Sequence, residues 1–499
     1  MSDVASLFVF LYGQRIGRLE RTDRGSAFEY EDAYSRRAGR PPLSLRMPLS
    51  TNRHEDGHYK SQRVVENYLL SLLPDDSQVR AALAQEHGTQ ADALSLLASP
   101  IGLDCAGAVQ FSTQPAVPTR QSRLEPVSES DLRAFVRDAQ SRKGGYVYGP
   151  QPRRRGKFSA LAGMHAKFAL RRDDGAWFDP HGEEPSTHII KPDSPATPQR
   201  NQAFAEHLTM LIARNAGLDV ASTEFAVVGG APSIVVERYD RALGDSGYRR
   251  IHQEDLASAA GLSPDDKYGG VVEDAAGVLR KNSSDVVRDI DAFIDGFAFN
   301  AITGGTDAHI KNYSVLLAPG LVRFAPLYDL TSYFPYIESD FDLTDARQGK
   351  SVTMSMPLGE RHHFGAFTPE DVAQFAQEVG RGDDVEAVAR RINALAEKVP
   401  GALDRALQDP SLPSDLVRWV KATRLVELVD HCADNATESA QGRPPRRLAR
   451  TTPQTLPATS DTNAERASAG AKQECALLVA STGLPCHLVK NHGGNCRSR

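Results

Sequence analysis

The sequence predicts an α+β protein in two lobes, a β-rich one followed by a helical one, with a smaller α+β unit ahead of them and a disordered tail behind. Three observations predict it. Strand-like runs separated by single helices fill the chain as far as Asp240, the pattern beyond is mostly helical, and no Phe, Trp or Tyr occurs after Trp419. At 499 residues, with 40% hydrophobic and 24% charged content, the chain has the length for two or three domains and the composition of an ordinary globular protein. A net charge of -6 argues against a chain built as a whole to bind polyanions, which needs a basic excess to release counterions. The run "LFVFLY" is only six residues long, lacks a cationic lead and breaks at Gly13, so it reads as a strand and not as a signal peptide. No run approaches the roughly 20 apolar residues of a membrane span. Five scattered cysteines fit reduced thiols better than a disulfide framework, and the expectation is a cytoplasmic protein.

The elements follow in order. Residues 1–112 alternate strand-like pieces ("LFVFLYGQRIGRLE", "AFEYEDAY") with a helical stretch, "SQRVVENYLLSLLPD", whose Val64, Tyr68, Leu69 and Leu72 share one face. Residues 113–130, rich in Pro, Ser and Thr, read as a linker. The β-rich lobe, 131–240, shows strands near 166–170, 187–191 and 233–238. Its helix "FAEHLTMLIARNAGL" places Phe204, Leu208, Leu211 and Ile212 on one side and Gly217 where a C-cap would stand. The helical lobe spans 241–435 and closes on one helix, "SDLVRWVKATRLVELVDH". From 436 to 499 too little apolar surface is available to offset the entropy of ordering, so disorder is expected. That tail holds Cys475, Cys486, His487, His492 and Cys496, whose spacing matches no paired C-x-x-C zinc pattern.

"GGTDAHIKNYSVLL" (304–317) carries the chemistry. Asp307 and Asn312 stand five residues apart, the offset between base and metal-binding asparagine in the H-R-D-x-x-x-x-N loop of protein kinases. "YSVLL" and "VRFAPLYDLTSYF" read as two strands joined at "APG", returning Tyr328 and Asp329 toward Asn312. Phosphoryl transfer needs such groups: a carboxylate to orient a hydroxyl, amide and carboxylate oxygens for Mg²⁺, and lysines on the phosphates. Alone, D-x-x-x-x-N also describes a loop of capping side chains. Upstream, "GKFSALAGMHAKFAL" is a small-residue loop whose amides would face phosphates, with Arg153, Arg154 and Arg155 near it. "THIIKPD" sets Lys191 at a strand end with Glu206 on the next helix to orient it, and "SIVVERYDR" resembles an adenine-binding hinge.

In order along the chain, "SALAGMHAK", "THIIKPD", "VVERYDR", "HQEDLASAAGL", "TDAHIKNYSVLL" and "APLYDLTSYFPY" resemble the signatures of the HipA family of bacterial toxin kinases, from about residue 5 to about 430. The resemblance implies a bilobal protein-kinase-like fold using ATP and Mg²⁺. It further implies phosphorylation of a protein such as an aminoacyl-tRNA synthetase, and neutralisation by a helix-turn-helix, HipB-like antitoxin through which alone operator DNA is engaged. Carried onto this chain, Asp307 is the general base, and Asn312 and Asp329 are the metal ligands. Ala162, Gly163, Met164, His165, Ala166 and Lys167 form the nucleotide loop, Glu237, Arg238 and Tyr239 the hinge. Lys191, His309, Lys311 and Tyr328 complete the cofactor site. The pattern departs at Ala160, where the family commonly has an autophosphorylated serine, leaving Ser159 as the candidate, and at His165, where it has Gln. A non-catalytic scaffold that bridges antitoxin and operator is the alternative reading.

Overall fold

Alternating burial makes a sheet of the first strands. In β1 (Ser6–Leu11) Leu7 and Val9 are buried while Phe8 is half-buried, and β1 pairs with β2 (Gln14–Thr22), which pairs with β3 (Gly25–Tyr30). A fourth strand, β4 (Val109–Ser112), closes the antiparallel order β3-β2-β1-β4. The computed structural model describes residues 4–23, 25–49, 62–116, 122–141, 167–195, 199–245, 247–338, 343, 352–359, 361–365 and 367–445. The expected helix of this unit runs Gln62–Ser71 and buries Val65, Tyr68 and Leu69, with Val64 only half-buried. It stops before Pro74, whose ring is incompatible with a helix interior.

The segment expected to be a linker departs from that expectation. Arg123–Pro126 is strand β5, paired to β7 (Ala176–His181), and the helix Glu129–Ser141 starts inside the stretch assigned to the linker. A Pro-containing strand is tolerated there because β5 is the edge of its sheet. Ser128 and Asp131 cap the helix reciprocally: the Ser128 amide donates to the Asp131 carboxylate at 2.9 Å and the Asp131 amide to the Ser128 hydroxyl at 3.3 Å. The six-stranded sheet reads β5-β7-β6-β8-β10-β9, with β6 at Phe168–Asp173, β8 at His188–Pro192, β9 at Thr223–Val228 and β10 at Ala231–Glu237. Both faces of β10 are covered. Val235 packs with Phe135 and Phe168 in the core shared with the first sheet, while Ile234 and Val236 pack with Phe204 and Leu208 of the helix Gln202–Ala216 in the core of the helical lobe. That explains the unbroken apolar run "IVV" from Ile234 to Val236.

Beyond Asp240 the chain does not turn helical at once. A hairpin of β11 (Arg241–Gly244) and β12 (Gly247–Arg250) comes first, and β13 (Gln253–Asp255) pairs with β14 (Ser314–Ala318), itself paired with β15 (Leu321–Phe324). Helices then dominate. Val286–Thr303, Val385–Leu407 and Leu425–Ala440 pack together, and Gln202–Ala216 of the β-rich lobe packs on Val385–Leu407. Two expectations are corrected here. The closing helix is two helices, Ser414–Lys421 and Leu425–Ala440, and the second runs past 436. Leu425, Leu428, Val429, Cys432 and Ala436 keep one helical face buried, and Asn435 and Ser439 donate from that face to the carbonyls of Gly365 (2.6 Å) and Phe367 (2.5 Å). The tail cysteines lie outside the described residues. Among those residues, no helix is long and apolar enough to cross a membrane.

Glu254 of β13 ties the first unit to the helical lobe. It accepts from the Ser44 hydroxyl (2.6 Å), the Leu45 amide (2.8 Å) and the Ser258 hydroxyl (2.9 Å). Burial pushes its carboxyl from 4.5 up to about 7, although those hydrogen bonds oppose it. A carboxyl raised on folding stabilises below its unfolded value and loses that contribution as the pH climbs through its folded value. Between pH 4.5 and 7 the urea midpoint of the wild type is therefore expected to fall relative to that of Glu254→Gln. Parallel curves for the two proteins would rule this out.

Candidate active site

The helix Val286–Thr303 ends on Gly304, whose φ of 79° is left-handed, as a C-cap requires. A side chain at Gly304 would strike the Phe334 ring, at 2.4 Å, and one at Gly305 the Asn300 amide oxygen, at 2.2 Å. "GGTD" is thus a tight exit that sends the chain into the turn 307–312. There the Asn312 side-chain amide donates to the Asp307 backbone carbonyl at 2.7 Å, which turns the amide oxygen away from that bond. The Asp307 carboxylate is 55% exposed, accepts from the Tyr268 hydroxyl at 2.8 Å and lies 3.9 Å from His309 Nε2. His309 is buried. Burial lowers its pKa, which favours the neutral ring, and its Nδ1 has no hydrogen-bond partner among the described residues.

Lys191 sits at the end of β8, and its ammonium donates to Glu206 at 2.7 Å and to Asp329 at 2.6 Å. Burial works against that charge, but the two carboxylates outweigh it and raise its pKa. Asp329 holds a left-handed backbone, φ 58°, a region that a non-glycine residue enters at a cost. Asp307, Asn312, Asp329 and Lys191 line one cavity, together with Lys167 and Lys311. Burial, reinforced by Lys191, pushes Lys167 down to about 8. Residues 162–166 and Ser159, assigned to the nucleotide loop and to autophosphorylation, lie outside the described residues.

The hinge departs in detail from what was expected. Glu237, Arg238 and Tyr239 line the cavity, but the amides of Glu237 and Arg238 donate to the carbonyls of Ser222 and Thr187, both at 2.9 Å. The Arg238 guanidinium belongs to a buried charge cluster, donating to Asp240 at 2.8 Å and lying 3.6 Å from Asp104. The Arg238 side chain is thus taken up by its carboxylates, which a buried guanidinium needs, and what it can offer a nucleotide is the hinge backbone. Tyr239 instead meets the Tyr328 ring at 5.6 Å, and Tyr328 donates to the Lys311 carbonyl at 3.0 Å, fixing the turn that carries Lys311. Sequence reasoning missed Asp75, which pairs with Lys311 and Lys267. Its signal was slight: an acid directly after a helix-ending "LLP".

A magnesium–nucleotide pair fits this arrangement. The ammonium-bearing side chains of Lys167, Lys191 and Lys311 line the cavity, as anionic oxygens would require, and Asn312 and Asp329 offer the hard oxygens that Mg²⁺ takes. A lysine on a strand paired to a glutamate on a helix, facing an Asp…Asn turn across the gap between a sheet lobe and a helical lobe, belongs to a protein-kinase-like fold. Residues 7–112 match the HipA N-terminal domain and residues 159–403 the HipA-like C-terminal domain. "Putative kinase Y4mE" of Sinorhizobium fredii is 30% identical over 446 residues, 87% of this chain and 98% of that protein. The Shewanella oneidensis "Serine/threonine-protein kinase toxin HipA" is 27% identical over 396 residues, 76% of this chain and 84% of the toxin. A solved Shewanella oneidensis complex of HipA, HipB and operator DNA supplies a chain with the same fold: TM-score 0.68, 22% identity, 86% of this chain and 99% of that one. The chain belongs to the HipA family.

Proposed function

We propose that this protein is an ATP- and Mg²⁺-dependent serine/threonine protein kinase that acts as the toxin of a toxin–antitoxin module. The supporting observation is the shared cavity: Lys191 of the β-rich lobe lines one space with Asp307, Asn312 and Asp329, which follow it by more than 100 residues. Bound MgATP supplies the phosphoryl group. Asp307, exposed at the mouth, takes the proton of a seryl or threonyl hydroxyl. Lys191, oriented by Glu206, and Lys167 and Lys311 hold phosphate oxygens, and Asn312 and Asp329 present their oxygens to the cation. The Tyr239–Tyr328 pair gives a purine an aromatic surface.

The acceptor we infer is a cytoplasmic protein, for which an aminoacyl-tRNA synthetase is the family-based candidate. The partner is a helix-turn-helix antitoxin of the HipB kind, since a family member of the same fold is solved with HipB and operator DNA. With a net charge of -6, contact with DNA runs through that antitoxin. The test is transfer of label from γ-³²P-ATP to proteins of a bacterial extract. Label is expected with Mg²⁺, not with EDTA, and about tenfold less with Lys191→Met. If the wild type labels nothing and MgATP does not shift its melting temperature, the chain is a scaffold and no kinase.

A further inference from the structure

Asp75 belongs to the first unit, in the turn between the helices Gln62–Ser71 and Ser77–His87, yet it lines the same cavity as Asp307 and Asp329. Its side chain is 9% exposed. It accepts from Lys267 at 2.9 Å, and Lys311, 6% exposed, donates to its other oxygen. The turn is held by contacts of its own. Arg80 donates to the carbonyls of Pro74 and Asp75, both at 2.7 Å, and Asp76 caps the following helix by accepting from the Gln78 amide at 2.7 Å. A carboxylate is thus fixed before any ligand arrives, and it reaches the lysine directly before Asn312. Burial alone would raise the Asp75 pKa, but Lys311 and Lys267 bring it below the ordinary carboxylate value, so the group is ionised at neutral pH.

We propose that Asp75 is a positioning residue for phosphoryl transfer, supplied by the N-terminal domain, which aims the Lys311 ammonium into the nucleotide cavity and balances the paired charges of Lys311 and Lys267. This rests on the kinase reading above. A positioning group and a mere structural tie predict different kinetics. Removing the negative charge leaves two ammonium groups with less compensation, which strengthens the attraction for an anionic nucleotide. The same change frees Lys311 from its geometry, which slows the step that needs it. Turnover and affinity then move in opposite directions.

The experiment measures ATP turnover and MgATP affinity, using a fluorescent ATP analogue, for the full chain and its variants. Asp75→Asn is expected to lower kcat at least tenfold while KM for ATP stays level or falls. Asp75→Glu should restore part of the rate. In a Lys311→Met background Asp75→Asn should change kcat by less than twofold, because the lysine it aims is gone, while the affinity gain should shrink to the part owed to Lys267. A kcat for Asp75→Asn within twofold of the wild type overturns the proposal, and so does an equal loss in both backgrounds. If the wild type turns over no ATP, the kinase reading falls and the affinity arm decides Asp75. A change in MgATP affinity that shrinks in the Lys311→Met background upholds the coupling, and one of equal size in both backgrounds refutes it.

Discussion

Asp307→Asn is expected to lower phosphoryl transfer by about 100- to 10,000-fold, the usual range for removing a positioned general base. The fold should survive. The carboxylate is 55% exposed, and its hydrogen bond from the half-exposed Tyr268 hydroxyl has an amide oxygen to replace it. Asn312 holds the turn through the Asp307 backbone carbonyl, which the substitution leaves in place. Nucleotide affinity is therefore expected to match the wild type, and the loss should fall on kcat. Label transfer gives the rate, and fluorescent-nucleotide titration gives the affinity. A variant that labels its acceptor at the wild-type rate would remove Asp307 from the role of base.

The second large effect concerns stability. Asp104, 1% exposed and just ahead of β4, lies 3.0 Å from Arg241 and 3.4 Å from Arg250, and 3.6 Å from Arg238. Asp240 is the other carboxylate of the cluster, within 3.0 Å of Arg241. Removing one partner of a buried ion pair leaves an uncompensated charge and costs about 3–5 kcal/mol. Here one substitution, Asp104→Asn, withdraws charge from three guanidinium groups at once. Guanidinium chloride unfolding should show a loss of about 3 kcal/mol or more. A loss under about 1 kcal/mol would mean that Asp240 alone compensates the cluster, or that water does.

The motif residues could be read from the sequence because each sits in a short contiguous stretch whose order along the chain carries the information. Asp307 and Asn312 are joined by a local hydrogen bond, and Lys191 and Glu206 by a strand end and the next helix. Asp75 was not legible in this way, because its meaning depends on a lysine 236 residues away. β5 was hidden by composition, since an edge strand takes its pairing from β7 and needs no apolar alternation of its own. The last turns of Leu425–Ala440 were hidden by polar side chains whose partners are carbonyls about 70 residues upstream. In the hinge the position was legible but the contacts were not. Arg238 reads as a cofactor neighbour in a linear motif, and only the fold reveals the acids that surround it.

The twisted backbone at position 329 sets a trap for anyone engineering a sturdier version of this protein. Glycine or asparagine would relax that conformation while taking one of the two carboxylates from Lys191, so a screen scored on heat resistance alone keeps them wherever the backbone relief outweighs the lost ion pair. Both discard the carboxylate oxygen pair proposed to hold magnesium, and such a screen would enrich durable proteins stripped of that proposed chemistry.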